Sequence, residues 1–102
     1  MKTFTEIKTD LNDIQYYSEH KERFDQAAKL IGPNKVIDIF EEYNTAIQFA
    51  SAKFYELYAK IYVDGRTYES AAEELGYSVN YIYKSNKKLL NFFFHFFNQT
   101  MD

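Results

Sequence analysis

Val36, Phe40, Tyr43, Ile47, Ala50, Phe54, Leu57 and Ile61 follow one another at steps of four and three residues without a miss. That spacing keeps side chains on one side of an α-helix and fits no strand. Earlier in the chain Ile7, Leu11, Ile14, Tyr17, Phe24, Ala28 and Ile31 repeat it, with Lys21 the single polar member of the series. The pattern predicts one helix over Phe4–Ile31 and a second from Asn34 to Val63. Gly32-Pro33-Asn34 separates them: Gly suits a C-terminal cap, Pro cannot continue the ladder, and Asn34 is an N-cap. The second helix would be about 45 Å long, longer than a compact chain of this size is wide. The simplest arrangement is a long antiparallel helical hairpin, part of its length covered by another subunit. Ile37, Ile39, Ala46, Phe49, Tyr58 and Tyr62 give the second helix another apolar side, consistent with contacts on two flanks.

The composition agrees with an all-α chain. Among 102 residues there are only three Gly and one Pro, too little punctuation for a small β-sandwich or barrel. The length allows a single domain, residues 1–102. Within it, 1–63 is the hairpin and dimerisation part, and 64–98 a different unit. There Thr67 is an N-cap opening a short helix that stops at Gly76, and Ser78 opens a longer helix from Val79 to about Asn98. A short helix, a tight glycine turn and a second capped helix are the cues of a helix-turn-helix. Ala71 and Ala72 let the helices cross closely, Leu75 and Ile82 fill the wedge, and Gly76 supplies the positive φ of the turn.

Tyr62-Val63-Asp64-Gly65-Arg66-Thr67-Tyr68-Glu69-Ser70-Ala71-Ala72-Glu73-Glu74-Leu75-Gly76-Tyr77-Ser78, followed by Ile82 and Leu89-Leu90, resembles the C-terminal, minus-35-reading domain of bacterial sigma factors. It is more similar still to the sigma-like helix-turn-helix regulators of Gram-positive phages and prophages, of the ArpU and RinA type. The likeness covers about residues 54–93. It rests on Tyr62, Gly65, Thr67, Tyr68, Glu69, Ala72, Leu75, Gly76, Tyr77, Ser78 and Ile82. It implies transcriptional control, with helix 79–91 in a DNA major groove. The resemblance places base-reading positions on Val79, Asn80, Tyr83 and Lys84, and backbone-contacting positions near Thr67, Lys87 and Lys88. Val79 and Tyr83 depart from the long polar residues common in sigma-type domains, and Ser70-Ala71 replaces the usual Glu-Ile pair.

Charge points to the same helix. The chain carries twelve basic and fifteen acidic residues, a net charge of −3, which disfavours wholesale coating of nucleic acid. Yet residues 79–91 hold Lys84, Lys87 and Lys88 and no acid. Asn80 suits adenine edges, and Lys84 reaches guanine or phosphate. Tyr81 and Tyr83 offer hydroxyls to phosphates. The expected partner is therefore double-stranded DNA.

The run Leu89–Phe97 puts aromatics around most of a helix. Ile82, Leu89, Phe93 and Phe96 continue an inner seam, so Phe92, Phe94 and Phe97 are expected to point elsewhere and form a homodimer interface. The absence of Cys excludes disulfides, a thiol nucleophile and cysteine-ligated zinc. His20 and His95 lack partners at ligand spacing, so no metal is expected. The carboxylate groups Asp10/Asp13, Glu41/Glu42 and Glu69/Glu73/Glu74 are expected to face water, and nothing beside them suits acid–base work. No catalytic residues, enzyme activity or cofactor are expected. With no secretory signal and no apolar run long enough for a membrane, the expectation is a cytoplasmic protein. Two functions follow: a sequence-specific DNA-binding transcriptional regulator, or an interaction protein that uses the same fold to bind host RNA polymerase or a defence nuclease.

Overall fold

The structure, a computed structural model, describes residues 1–32 and 34–99. Pro33, expected to break the chain between helices, lies outside the described residues. All regular structure within them is helical: α1 (Phe4–Glu19), α2 (Lys21–Ile31), α3 (Lys35–Ile47), α4 (Ala52–Tyr58) running on into a π-helical turn (Ala59–Val63), α5 (Tyr68–Leu75) and α6 (Val79–Phe97).

Neither long helix of the sequence reading is continuous, and in each case a polar residue explains the break. The first is interrupted at His20, which is both the last cap of α1 and the first of α2. An unbroken helix would have carried Lys21 into the apolar seam, where an unpaired ammonium is costly. The break instead turns Lys21 outward to pair with Asp25 at 3.3 Å. Asp25 also accepts a 2.9 Å hydrogen bond from the Tyr17 hydroxyl, and the Tyr17 and Phe24 rings sit 5.5 Å apart.

The second is interrupted between Ile47 and Ala52. Ser51 is an N-cap there, its hydroxyl accepting from the Phe54 N–H. The chain folds back on itself at this point. Tyr58 donates to Asn44 Oδ1 at 3.0 Å, and Phe40 lines the same groove as Val63, so α3 and α4 run antiparallel. The seam survives the fold: Tyr43, Ile47, Leu57 and Ile61 are all buried, now as two short helices facing one core. The outcome is a slab of 43 × 40 × 22 Å, two helices deep rather than a rod, since one helix with its side chains is about 10–12 Å across.

Helix α1 is the centre of that slab. Ile7, Leu11 and Ile14 are fully buried, and the helix packs on α3, on the π-helical turn and on α6. Gln15 reaches Ile61 and Gly65 lies beside Glu19, so α1 runs parallel to the α4 segment. Phe4 meets Phe94 and Lys2 meets Asn98, so α1 runs antiparallel to α6. Asp10, expected to face water, is instead drawn inward. Its Oδ2 accepts from Tyr43 at 2.7 Å and from Lys2 at 2.9 Å.

The aromatic end of α6 is also accommodated differently from the sequence reading. Leu89 and Phe93 are buried as expected, but Phe92, Phe94 and Phe97 also pack partly against the same core. Phe94 stacks on Phe4 with ring centroids 4.2 Å apart, and Phe97 lies 4.9 Å from Tyr43. Phe92 faces Phe54 at 6.2 Å. What makes room is the start of the chain. Asn98 receives the Lys2 N–H and donates to the Lys2 carbonyl, clasping the N-terminal segment over the end of α6.

Candidate nucleic-acid interface

Helix α5 begins where Thr67 accepts the Ser70 N–H at 3.1 Å, and it ends at Gly76, whose φ of 76° and ψ of 28° lie in the left-handed region. A residue with a Cβ is strained in that conformation, so Gly76 fits the turn for a backbone reason. Two residues later Ser78 accepts the Tyr81 N–H at 3.1 Å and opens α6. Ala71 and Ala72 are buried against this crossing, as is Ile82. The short helix, glycine turn and capped helix thus stand at the residues where sequence spacing put them.

A polar network fixes the two helices to the rest of the chain. Tyr62 donates to Asn86 Oδ1 at 2.7 Å, and Asn86 Nδ2 donates to the Tyr68 hydroxyl at 3.1 Å. One side chain of α6 is thereby tied to the π-helical turn and to α5. Burial holds the Tyr62 and Tyr68 hydroxyls in their neutral form, pushing both pKa values above the usual 10.0. On the outer side of Tyr68 the Tyr83 ring stands edge-on at 4.5 Å. A second tie holds the last turn of α5 to the π-helical turn and to the segment before α5: Glu74 accepts from Lys60 at 2.6 Å and pairs with Arg66 at 3.0 Å. The Lys60 hydrogen bond and the Arg66 charge hold its carboxyl below the usual range.

The outer face of α6 follows from its periodicity. Ile82, Ser85, Leu89 and Phe93 are buried on one side. Asn80, Lys84, Lys87 and Asn91 recur at steps of four, three and four on the opposite side, and all four are exposed. Tyr83 and Lys88, also exposed, flank that stripe. None of the three lysines makes an ion pair with any described residue.

The remaining candidates lie apart from the stripe. Val79 is partly buried against the core, and Tyr81 is partly buried beneath Lys53. Thr67 is exposed, its hydroxyl engaged as the cap of α5. Asn91 was missed in the sequence reading, although its place eleven residues after Asn80 on the same face was a readable signal. Lys53 was missed too, and nothing in the sequence joins it to α6, because the contact is made through the fold.

Elsewhere the surface is mixed in charge. A groove of about 440 Å³ runs between α1 and α3 beside Lys2, Glu6, Asp10, Lys35 and Glu42. Its Asp10 is already engaged by Lys2 and Tyr43. No cluster of three or more metal-ligating side chains occurs among the described residues, and no described helix is long and apolar enough to cross a membrane. In comparisons with models of known families, with curated proteins and with solved structures, nothing matches this chain.

Proposed function

We propose that this chain is a DNA-binding transcriptional regulator of the sigma-like phage type, in which α5, the glycine turn and α6 form a helix-turn-helix and α6 enters the major groove. The observation that carries this reading is the outer face of α6. Asn80, Lys84, Lys87 and Asn91 form one exposed stripe with no acidic residue on the helix, and the lysines make no ion pair with any described residue. Asparagine reads adenine edges and lysine reads guanine or phosphate, so the stripe has the chemistry of a groove reader. A solvated lysine face on an ordinary surface helix needs no capped partner helix set at its N-terminus. This one has it.

A mobility-shift assay across a salt series tests the reading. Contacts through lysine weaken steeply with salt, and Lys84→Ala or Lys87→Ala should each reduce affinity. No DNA affinity at low salt, or unchanged affinity in both variants, ends it. A homodimer belongs to the same reading, because Phe92, Phe94 and Phe97 keep partial exposure at one end of α6. Paired readers would address two half-sites. Light scattering that returns a clean monomer removes that part.

A second reading is favoured by one specific observation. Helix α2 buries no residue fully, and at its end Leu30 and Ile31 are 86% and 84% exposed. Adjacent exposed apolar side chains on a projecting helix suit a protein partner, such as host RNA polymerase or a defence nuclease. Under this reading DNA affinity is absent, and Leu30→Asp abolishes capture of the partner.

A further inference from the structure

Among the described residues, Lys2, Lys21, Lys60 and Arg66 are tied to carboxylates. Lys60 and Arg66 stand closest to α5 in sequence, and Glu74 neutralises both. Lys53, on α4, is held in another way. It makes no ion pair with any described residue, and its ammonium lies 4.2 Å from the Tyr81 ring centroid and 5.6 Å from that of Tyr77. The two rings sit 4.5 Å apart and flank the first turn of α6. Glu56 lines the same cleft without reaching ion-pair distance of Lys53. An aromatic face orients a cation without cancelling its charge, so Lys53 is positioned and still free to meet an anion.

Its position relative to the lysines of α6 follows from helix geometry. Tyr81, Lys84 and Lys88 fall at i, i+3 and i+7, on one edge of the helix. Helical side chains lean back toward the N-terminus, which brings the Tyr81 ring to Tyr77 and Lys53. Lys53 therefore stands at the head of a row, with Lys84 about 4.5 Å and Lys88 about 10 Å further along the axis from the level of Tyr81. The neighbouring edge carries Asn80, Tyr83 and Lys87 instead.

We propose that Lys53, which lies outside the two-helix motif, heads a phosphate-contacting edge completed by Lys84 and Lys88, leaving Asn80, Tyr83 and Lys87 to face the bases. The inference rests on the DNA-binding reading and goes beyond it, because α4 joins the interface and Lys84 moves from base reading to the backbone. A phosphate contact fixes register and carries no sequence information. Removal of one such contact lowers the steepness of log K against log salt by about 0.9.

Fluorescence anisotropy of the full chain on two labelled duplexes of unrelated sequence decides the matter. Lys53→Gln should weaken binding by the same factor on both duplexes. Between about 50 and 200 mM salt its affinity should fall by about 3.5-fold less than that of the wild type. Lys53→Arg should restore wild-type behaviour. Lys29→Gln, at another exposed lysine that makes no ion pair with any described residue, should change nothing. If Lys53→Gln keeps the wild-type salt slope while Lys88→Gln lowers it, the Lys53 edge is wrong and the DNA reading stands. A Lys53→Gln effect on one duplex only places Lys53 at the bases and also overturns the proposal. A wild-type chain with no salt-dependent affinity for either duplex overturns both.

Discussion

The Gln15 side chain donates a 3.0 Å hydrogen bond to the backbone carbonyl of Ile61, inside the π-helical turn that ends α4. A π turn shifts the hydrogen-bond ladder by one residue and leaves carbonyls without their ordinary partners. Gln15 meets one of them from the neighbouring helix. The same turn is closed by the Asp64 N–H on the Ala59 carbonyl at 2.8 Å. It delivers Tyr62 to Asn86 and leads the chain into Gly65 and α5, so the placement of the two-helix unit depends on it. Gln15→Leu should cost about 1–3 kcal/mol, the penalty for a carbonyl left unmet in a partly buried site. Chemical denaturation measures the loss, and amide exchange should rise first over residues 59–66.

Asn86 joins three elements through one side chain. Asn86→Leu leaves the buried Tyr62 hydroxyl without its acceptor and should cost about 1–3 kcal/mol. The double variant Tyr62→Phe with Asn86→Leu removes both partners, so it should recover part of that loss. A double-mutant cycle by denaturation measures the coupling, and strictly additive effects would show that the 2.7 Å contact contributes nothing.

The helical class and the limits of α5 and α6 were legible in the sequence because they depend on local chemistry. Thr67, Gly76 and Ser78 each cap a helix through neighbours three or four residues away. The breaks at His20 and Ser51 were harder to see, because an apolar seam of constant spacing fits one long helix or two that face the same core. Lys21 and Ser51 were the available signals: a polar residue inside a seam, and a capping residue in the middle of a supposed helix. The closure of the aromatic end was not legible at all. It depends on Lys2 meeting Asn98 and Phe4 meeting Phe94, contacts between opposite ends of the chain that no periodicity encodes. Of the outward face of α6, Asn80, Lys84 and Lys87 could be read from the helical period. Lys53 could not, because only the fold brings α4 to Tyr81.

Alkaline pH should unfold the chain. Tyr17 is pushed up to about 12, by burial first and then by its hydrogen bond to Asp25. Burial also raises Tyr43, Tyr58, Tyr62 and Tyr68, with Asp10 adding to the effect at Tyr43. A tyrosine with a raised folded value contributes stability that is fully present below the ordinary value near 10.0 and disappears as pH rises through the folded one. Loss of helical circular dichroism should therefore begin above about pH 10 and coincide with the rise of tyrosinate absorbance from these rings. Full ionisation of all ten tyrosines before any loss of helix would contradict the burial.

Acid should loosen α5 through Glu74. Its carboxyl is held below the usual 4.5 by the Lys60 hydrogen bond and the charge of Arg66. A depressed carboxylate contributes stability that is present above its unfolded value and lost as pH falls through its folded one. Protection of the amides within Tyr68–Leu75, taken relative to their intrinsic exchange rate, should fall in the wild type as pH drops below the usual 4.5. Glu74→Gln, which keeps an acceptor but no charge, should start from faster exchange at neutral pH and show a flatter acid response.

Asn98 is the point at which the two ends of the chain are held together. Its amide accepts the Lys2 N–H at 2.8 Å, donates to the Lys2 carbonyl at 2.7 Å and donates to the Phe94 carbonyl at 2.8 Å. Each such bond contributes about 0.5–1.5 kcal/mol net, so Asn98→Ala should cost about 1–3 kcal/mol once partial solvation of the freed groups is counted. The larger effect should be on surface chemistry. Release of the N-terminal segment removes Phe4 from the face of Phe94 and Lys2 from the rings of Tyr43 and Phe97. The partial exposure of Phe92, Phe94 and Phe97 then widens into a larger contiguous apolar patch of the kind that drives association beyond that of the wild type. Light scattering should show a larger apparent mass for Asn98→Ala than for the wild type at equal concentration. Phe4→Ala should reproduce the effect without touching the Asn98 hydrogen bonds. An unchanged mass in both variants would mean that the N-terminal segment is not what covers these rings.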